Sequence, residues 1–325
     1  MATLKLVIED AHAETDAIRS FTLRTADGAP LPPFTAGAHL KVHIPGLDEP
    51  RNYSLVCLTP ESALFTAPER YHLGVRLEDP SQGGSRYMHR VAIGDTLTVE
   101  PPKNDFPVHD AQGDDPPPLL IAGGIGITPV ASMAAQLSLQ GRPFALHYYG
   151  RSRGQMAFVE ALSAQYGPAL HAHADDAPST MLTLDALLDG ASPATHLYIC
   201  GPKGMIDAII ERAHARGWPQ SHIHVELFTT PVPQSGDRGF DVELRQSGLT
   251  FHVPPDKTIL EVLAEAGVDP MYDCTRGECG VCQVTVLEGL PDHRDYYLSD
   301  AEKKAGNVMQ ICVSRSFSDK LVLDL

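Results

Sequence analysis

The stretch DCTRGECGVCQVTV, residues 273–286, places Cys274, Cys279 and Cys282 within nine positions of a chain that has only six cysteines. Cys312 follows after 29 further residues, so the full spacing is Cys-x4-Cys-x2-Cys…Cys. In a reducing compartment disulfides rarely persist, and a tight cysteine cluster points to metal or redox chemistry.

This spacing is the one that plant-type [2Fe–2S] sites use. Four thiolates are needed to hold two sulfide-bridged irons, and one wrapped loop supplies three of them. Gly277 and Gly280 are expected to leave room for backbone N–H groups to reach the sulfurs, whose hydrogen bonds help set the potential. Cys312 is expected at the end of an apolar strand, closing the fourth side. Zinc is the rival: Cys279-x-x-Cys282 suits a zinc knuckle, with His293 as a further ligand. Zinc does not account for the x4 spacing, the glycines and Cys312 together.

Length and composition bound the rest. A chain of 325 residues with 43% hydrophobic side chains predicts two or three domains with real cores. The N-terminal MATLKLVIEDAHAETD has neither a cationic start nor an apolar run, and predicts no secretory signal. The longest uncharged stretch, 116–141, is broken by glycines and Pro129, so no membrane span is expected. A cytoplasmic protein follows. The net charge of −16 excludes nucleic acid as a partner, because such affinity rests on Lys and Arg contacts to phosphates. It offers no adhesion to anionic membranes either.

Three blocks separate along the chain. Residues 1–110 hold short β runs between turns (LKLVIED, SFTLRT, HLKVHI, RNYSLVCL, YHLGVRL, DTLTVE) and predict an antiparallel β-barrel. HDAQGDDPPP, 109–118, reads as a linker. Residues 111–229 alternate strands (PLLIAG, FALHYYG, THLYIC, HIHVELF) with helices, which predicts an α/β domain on a parallel sheet. TTPVPQSGDRG, 229–239, is a second punctuated stretch, and 230–237 is taken as the linker. Residues 238–325 predict an α+β domain: strands at FDVELRQ and LTFHV, a helix at TILEVLAEAG, the cysteine loop, QVTVLEG and a late strand around VMQICVSR. That block carries 15 acidic side chains against 9 basic ones.

AGGIGITPVASM, 122–133, is a glycine turn between a buried strand and a helix. Glycines let a backbone approach a phosphate, and the helix start adds unpaired N–H groups. A second turn, Cys200-Gly201-Pro202, also follows a strand and opens a helix. Ligands of such sheets bind outside the carboxyl ends of strands. Gly123, Gly124, Gly126, Thr128, Pro129, Cys200, Gly201 and Pro202 are therefore candidate dinucleotide contacts. Arg151 and Arg153, after the second strand, could hold a 2′-phosphate, contact the pyrophosphate or ribose, or be solvated.

GGIGITP and CGP, with Arg51-Asn52-Tyr53-Ser54 upstream, resemble the ferredoxin–NADP reductase superfamily. With the C-terminal cysteine block, which resembles a plant-type ferredoxin of β-grasp fold, the match narrows to reductases like phthalate dioxygenase reductase and vanillate demethylase reductase. It covers essentially the whole chain. The resemblance implies a flavin-binding barrel, an NAD-binding sheet and a [2Fe–2S] domain. It implies NADH as donor, with Thr128 at the nicotinamide and Cys200 at the hydride-transfer position. Arg51 would bind the flavin phosphate, Tyr53 would pack on the ring and Ser54 would bond near N5, with Asn52 beside them. Gly83, Gly84 and Ser85 resemble a second flavin loop, Asn104 would lie near the ring edge, and Phe228 would cover its other face. The residues do not decide between FMN and FAD; the resemblance implies FMN. Ser54, Thr128 and Cys200 are the candidates nearest the reacting rings.

Electron counting supports a flavin independently. A pyridine nucleotide delivers two electrons together and a [2Fe–2S] cluster takes one, so a carrier that accepts pairs and releases singles must lie between. By resemblance the final acceptor is a Rieske-type terminal oxygenase. A monomer is expected, since a one-electron carrier needs an exposed docking face and the acidic third block offers one. A diiron monooxygenase or haem acceptor is the alternative, and a non-enzymatic electron-transfer module is a further one. Arg276 and Glu278 are expected to be the first docking side chains. Cys57 reads as a core residue, Tyr148 and Tyr149 as strand packing, and His171-x-His173-x-x-Asp176 as solvated and not as a metal site.

Overall fold

The computed structural model describes residues 3–110, 115–229 and 233–325. The chain divides into two compact units, residues 1–226 and 227–325.

The first unit begins with β1 (Leu4–Ala13), β2 (Ile18–Thr25), β3 (Ala38–His43), β4 (Arg51–Ser54), α1 (Ser62–Thr66), β5 (Tyr71–Arg76), α2 (Gly84–Met88), β6 (Thr96–Val99) and β7 (Lys103–Asn104). The strands are antiparallel in the order β4-β3-β6-β1-β2-β5, with β7 on β3. The ends of that order meet. Leu55, just past β4, bridges Leu73 of β5, and the Val56 N–H donates to the His72 carbonyl at 2.8 Å. The sheet is thereby closed into a barrel, which removes its edges. Alternate side chains point inward, as the two-residue period of a strand requires. Leu6 and Ile8, Phe21 and Leu23, Leu40 and Val42, Leu73 and Val75, and Leu97 and Val99 fill the interior.

The same unit continues with β8 (Leu119–Gly123), α3 (Ile127–Leu139), β9 (Ala145–Gly150), α4 (Val159–Tyr166), β10 (Leu170–Ala174), α5 (Leu184–Asp189), β11 (Leu197–Cys200), α6 (Lys203–Ala215) and β12 (Ile223–Glu226). The sheet is parallel, in the order β10-β9-β8-β11-β12. Helices cover both faces of such sheets, so central strands are apolar throughout; every residue of β8 is buried. β10 holds His171 and His173, expected on a strand but outside the alternating series. It is an edge strand with the sequence LHAHA, and its polar positions break the apolar run that betrays a central one.

α3 is buried nearly all round because it is shared with the barrel. Ser132 on its barrel side donates to the Leu55 carbonyl at 2.6 Å and accepts from the Cys57 N–H at 2.8 Å. Gln136 accepts from the Ala36 N–H at 2.9 Å. Cys57 and Tyr148 are core residues here, and Tyr149 donates to the Leu182 carbonyl.

The second unit contains β13 (Phe240–Leu244), β14 (Thr250–Val253), α7 (Ile259–Glu265), β15 (Gln283–Glu288), β16 (Pro291–Asp292), α8 (Asp300–Ala305), β17 (Val308–Gln310), β18 (Arg315–Ser316) and β19 (Lys320–Leu323). The main sheet runs β14-β13-β19-β15-β17, and only the β13–β19 pair is parallel. α7 starts on a capping box of Thr258 and Glu261 and lays Ile259, Leu260 and Leu263 on the sheet, which is the β-grasp arrangement. Among the described residues no helix is long and apolar enough to cross a membrane.

Candidate functional site

In the second unit Cys274, Cys279 and Cys282 lie on the irregular loop between α7 and β15. Cys312 lies two residues beyond β17, in a turn, and not on the strand itself. All six cysteines of the chain are free thiols. The four of interest converge: the Cys274 thiol lies close to those of Cys279 and Cys312, and the Cys282 thiol close to that of Cys312. Backbone N–H groups point inward, with Arg276 donating to the Cys274 sulfur at 3.4 Å and Val281 donating to that of Cys279. Four such thiols, mutually in contact and met by backbone donors, fit a sulfide-bridged iron pair.

The two loop glycines are also required by backbone conformation and by the packing behind the loop. Gly277 and Gly280 both have positive φ, 76° and 78°. A β-carbon on Gly280 would lie 2.4 Å from the Tyr297 ring, and one on Gly277 would lie 2.7 Å from Val313. The space they free is filled by protein packed behind the loop. His293, the remaining zinc candidate, faces Asp295 at 3.8 Å.

Arg276 and Glu278 are not docking side chains. They form an ion pair, Nη2 to Oε1 at 2.8 Å, in which the side chains are 8% and 3% exposed. The other Glu278 oxygen accepts from the Leu227 N–H at 2.8 Å. The pair braces the loop from within. The exposed large side chains next to the cysteines are instead Met271, Tyr272, Val281 and Tyr297.

In the first unit the two glycine-bearing turns come together. β8 and β11 are neighbours, while the chain leaves β8 towards β9 on the other side, so a topological switch point opens between them. The contact is backbone on backbone. A β-carbon on Gly126 would lie 2.1 Å from the Cys200 carbonyl oxygen, and one on Gly201 would lie 3.0 Å from the Gly123 backbone. Gly124 adopts φ 55°. Pro202 packs against Gly123, and Pro129 lies in the first turn of α3. Thr128 is buried, donates its hydroxyl to the Ile125 carbonyl at 3.0 Å and sets its methyl against Gly74 of β5. Its oxygen keeps lone pairs for a ligand donor. Cys200 is fully buried.

Arg51, Asn52, Tyr53 and Ser54 form β4, paired with β3 so that Tyr53 lies opposite Leu40 and Ser54 opposite His39. The second glycine loop is brought to them. Gly84 sits where a β-carbon would lie 2.7 Å from Arg51 and 3.0 Å from the Tyr53 hydroxyl, and Gly83 needs φ 100°. Ser85 accepts from the Glu78 N–H at 3.1 Å, fixing that loop. Ser54 Oγ is buried and has no hydrogen-bond partner among the described residues. A buried hydroxyl left unpaired is costly and asks for a ligand.

The whole chain has named relatives. Residues 242–316 match the 2Fe-2S iron-sulfur cluster binding domain, and residues 113–223 match the N-terminal domain of dimethylamine monooxygenase subunit DmmA-like proteins. The vanillate O-demethylase oxidoreductase of Acinetobacter baylyi is 36% identical over 100% of both chains. The solved structure of phthalate dioxygenase reductase is 34% identical, covers 100% of this chain and 98% of that one, and superposes with a TM-score of 0.66. The chain belongs to the family of these reductases. An intact type IV self-sufficient cytochrome P450 monooxygenase is also similar, at 36% identity and TM-score 0.74, over 99% of this chain and 41% of that one.

As a member of this family the chain is an iron–sulfur flavoprotein oxidoreductase with a [2Fe–2S] cluster, a flavin and a pyridine nucleotide as cofactors. The residues on hand fit all three groups: the four convergent thiols, the orphaned Ser54 hydroxyl beside Tyr53, and the glycine-lined crevice. Other candidates are placed less directly. The Asn104 amide is committed to the protein, donating to Thr35 Oγ1 at 2.6 Å and to the Ala36 carbonyl at 2.8 Å and accepting from the Phe106 N–H. Arg153 is paired with Glu160 at 2.9 Å, whereas Arg151 is exposed at the end of β9. Phe228, near the start of the second unit, is 40% exposed.

Two features escaped the sequence. Glu226 ends β12 in register with Cys200 and is 3% exposed, so a buried carboxylate stands beside the hydride-transfer candidate. The signal was a lone acid inside the apolar run HVELF. The histidines are not all solvated either. His173 is buried and bonded to His147 at 3.0 Å and to the Thr180 carbonyl at 2.5 Å. Strand register created that pairing, and no spacing rule predicts it.

Proposed function

We propose that the chain is the reductase component of an oxygenase system, drawing electrons from NADH and delivering them singly to a Rieske-type terminal oxygenase. The observation that carries the reading is the presence, in one chain, of a backbone-lined crevice at a sheet switch point and four convergent free thiols. The first suits a phosphorylated two-electron donor and the second a one-electron carrier.

Its working parts fall into three segments: a flavin-binding barrel at 1–110, a nucleotide-binding sheet at 111–229, and, after a linker at 230–237, a cluster domain at 238–325. Bound FMN supplies the conversion of an electron pair to single electrons. The protein's own task is orientation. Arg51, with Gly83, Gly84 and Ser85, holds the flavin phosphate. Tyr53 packs on the ring, Asn52 flanks it, Ser54 gives its unpaired hydroxyl to the ring edge, and Asn104 props the barrel rim. Gly123, Gly124, Gly126, Pro129, Gly201 and Pro202 admit the dinucleotide backbone, and Arg151 binds its phosphates. Thr128 and the Cys200 wall place the nicotinamide. Cys274, Cys279, Cys282 and Cys312 ligate the irons. Supporting this are the family membership and the relatives themselves, which include vanillate O-demethylase oxidoreductases. On this reading the protein is a cytoplasmic monomer.

Purified protein should show overlapping flavin and cluster absorbance that bleaches on anaerobic addition of NADH. Iron and sulfide analysis should give the cluster, and chromatography of the released flavin should give FMN. Cluster without flavin, with no response to NADH, would end the proposal. A haem acceptor is the second reading, favoured by the similarity to the self-sufficient cytochrome P450. Rates of electron transfer to purified Rieske oxygenases and to a cytochrome P450 haem domain separate the two.

A further inference from the structure

The opposite edge of the parallel sheet, away from the glycine turns, carries a second constellation. His109, Asp115 and His196 meet beside the starts of β8 and β11. Each offers one ligand atom, and these atoms all lie within 4.8 Å of one another. The three line one small cavity together with Arg142 and Tyr198. Their placement follows from the fold. The Tyr198 hydroxyl accepts from the His109 N–H at 2.6 Å, and the Leu119 N–H donates to the His196 carbonyl at 3.0 Å.

His196 has the surroundings of an oriented ligand. Its Nδ1 is bonded to Nε2 of His224 at 2.8 Å, which leaves Nε2 of His196 for another partner. A ring nitrogen held by a neighbour is how metal-ligating histidines are commonly aimed. The His109 and His196 rings stack at 4.4 Å.

We propose that His109, Asp115 and His196 form a binding site for one divalent cation of the imidazole-preferring class, zinc foremost, with His224 as a positioning residue. Two imidazoles and a carboxylate make a three-ligand set that leaves the fourth tetrahedral position to water. The carboxylate offsets half of the ion's charge. Arg142 opposes it: the guanidinium donates to the His109 carbonyl at 3.3 Å from the same cavity. The site is therefore open and of moderate strength. It would tie the chain leaving the barrel to the entries of β8 and β11, apart from the electron-transfer route.

The test uses the full chain with flavin and cluster loaded, freed of loose metal, and titrated with zinc chloride by calorimetry. Wild type should take up one more zinc ion than H109Q. In D115N and in H224Q the affinity should fall at least about tenfold. R142Q, which removes the opposing cation, should bind more tightly than wild type. Flavin and iron contents equal to wild type show that the variants are folded. No uptake by wild type, or equal stoichiometry and affinity in wild type, H109Q and D115N, would overturn the proposal.

Discussion

The backbone of Gly126 lies against the carbonyl of Cys200, so closely that a β-carbon would come within 2.1 Å of that oxygen. The helical φ of Gly126, −59°, shows that the demand is for space and not for an unusual conformation. The turn after β8 and the turn after β11 are thus one structure. In G126A the two turns must part, and about an ångström of misplacement at a reacting pair costs on the order of a hundredfold. Stopped-flow reduction of the flavin by NADH should slow by about that factor while flavin content is unchanged.

Gly280 makes the matching test in the cluster loop. An alanine there meets the Tyr297 ring at 2.4 Å and carries the strain of φ 78°. G280A should lose most of its iron and sulfide. Shortening the ring in G280A/Y297A removes the collision but leaves the backbone strain, about 1–2 kcal/mol, so cluster content should recover in part. No recovery would place the fault in the loop conformation alone.

The Arg276–Glu278 pair predicts a loss of a particular kind. Removing one partner of a buried ion pair costs about 3–5 kcal/mol, because the other charge is stranded. E278A should therefore lower cluster content and hasten cluster loss on warming, with little response to salt. A docking residue would show the reverse: intact cluster, slower transfer to the acceptor, strong salt dependence.

The proposed route can be cut at its last station. C312S should abolish transfer to one-electron protein acceptors. NADH-dependent reduction of ferricyanide, which the flavin can serve directly, should persist at near the wild-type rate. Loss of both activities would argue that the cluster is needed for the fold of the first unit.

The buried histidines give the first unit an acid limit. Burial, with His171 and His173 nearby, pushes His147 down to about 3, and burial with His196, His109 and His222 nearby pushes His224 down to about 4. In the unfolded chain these rings bind protons near pH 6.5. Between there and pH 4 the unfolded state holds more protons than the folded one. Stability therefore falls as pH is lowered through that window and levels off below it. Urea midpoints measured from pH 7 to pH 4 should decline, and the His147 ring resonances should not titrate above pH 5.

The cysteine spacing, the two glycine turns and the R-x-Y-S strand were legible because each depends on residues close in sequence. Local chemistry writes itself as local pattern: four thiols at fixed intervals, glycines in the turns that close strands, alternation of strand and helix. What only the tertiary structure decided are relations between distant residues. Register along β11 and β12 set Glu226 beside Cys200. Packing behind the loop explained Gly280 through Tyr297, and the enclosure of Arg276 and Glu278 turned two presumed surface charges into an internal brace. The meeting of His109 and His196, 87 positions apart, is of the same kind. Whether a charge is solvated or buried, and which histidines share a cavity, depends on what the rest of the chain places around them, and no short window of sequence holds that information.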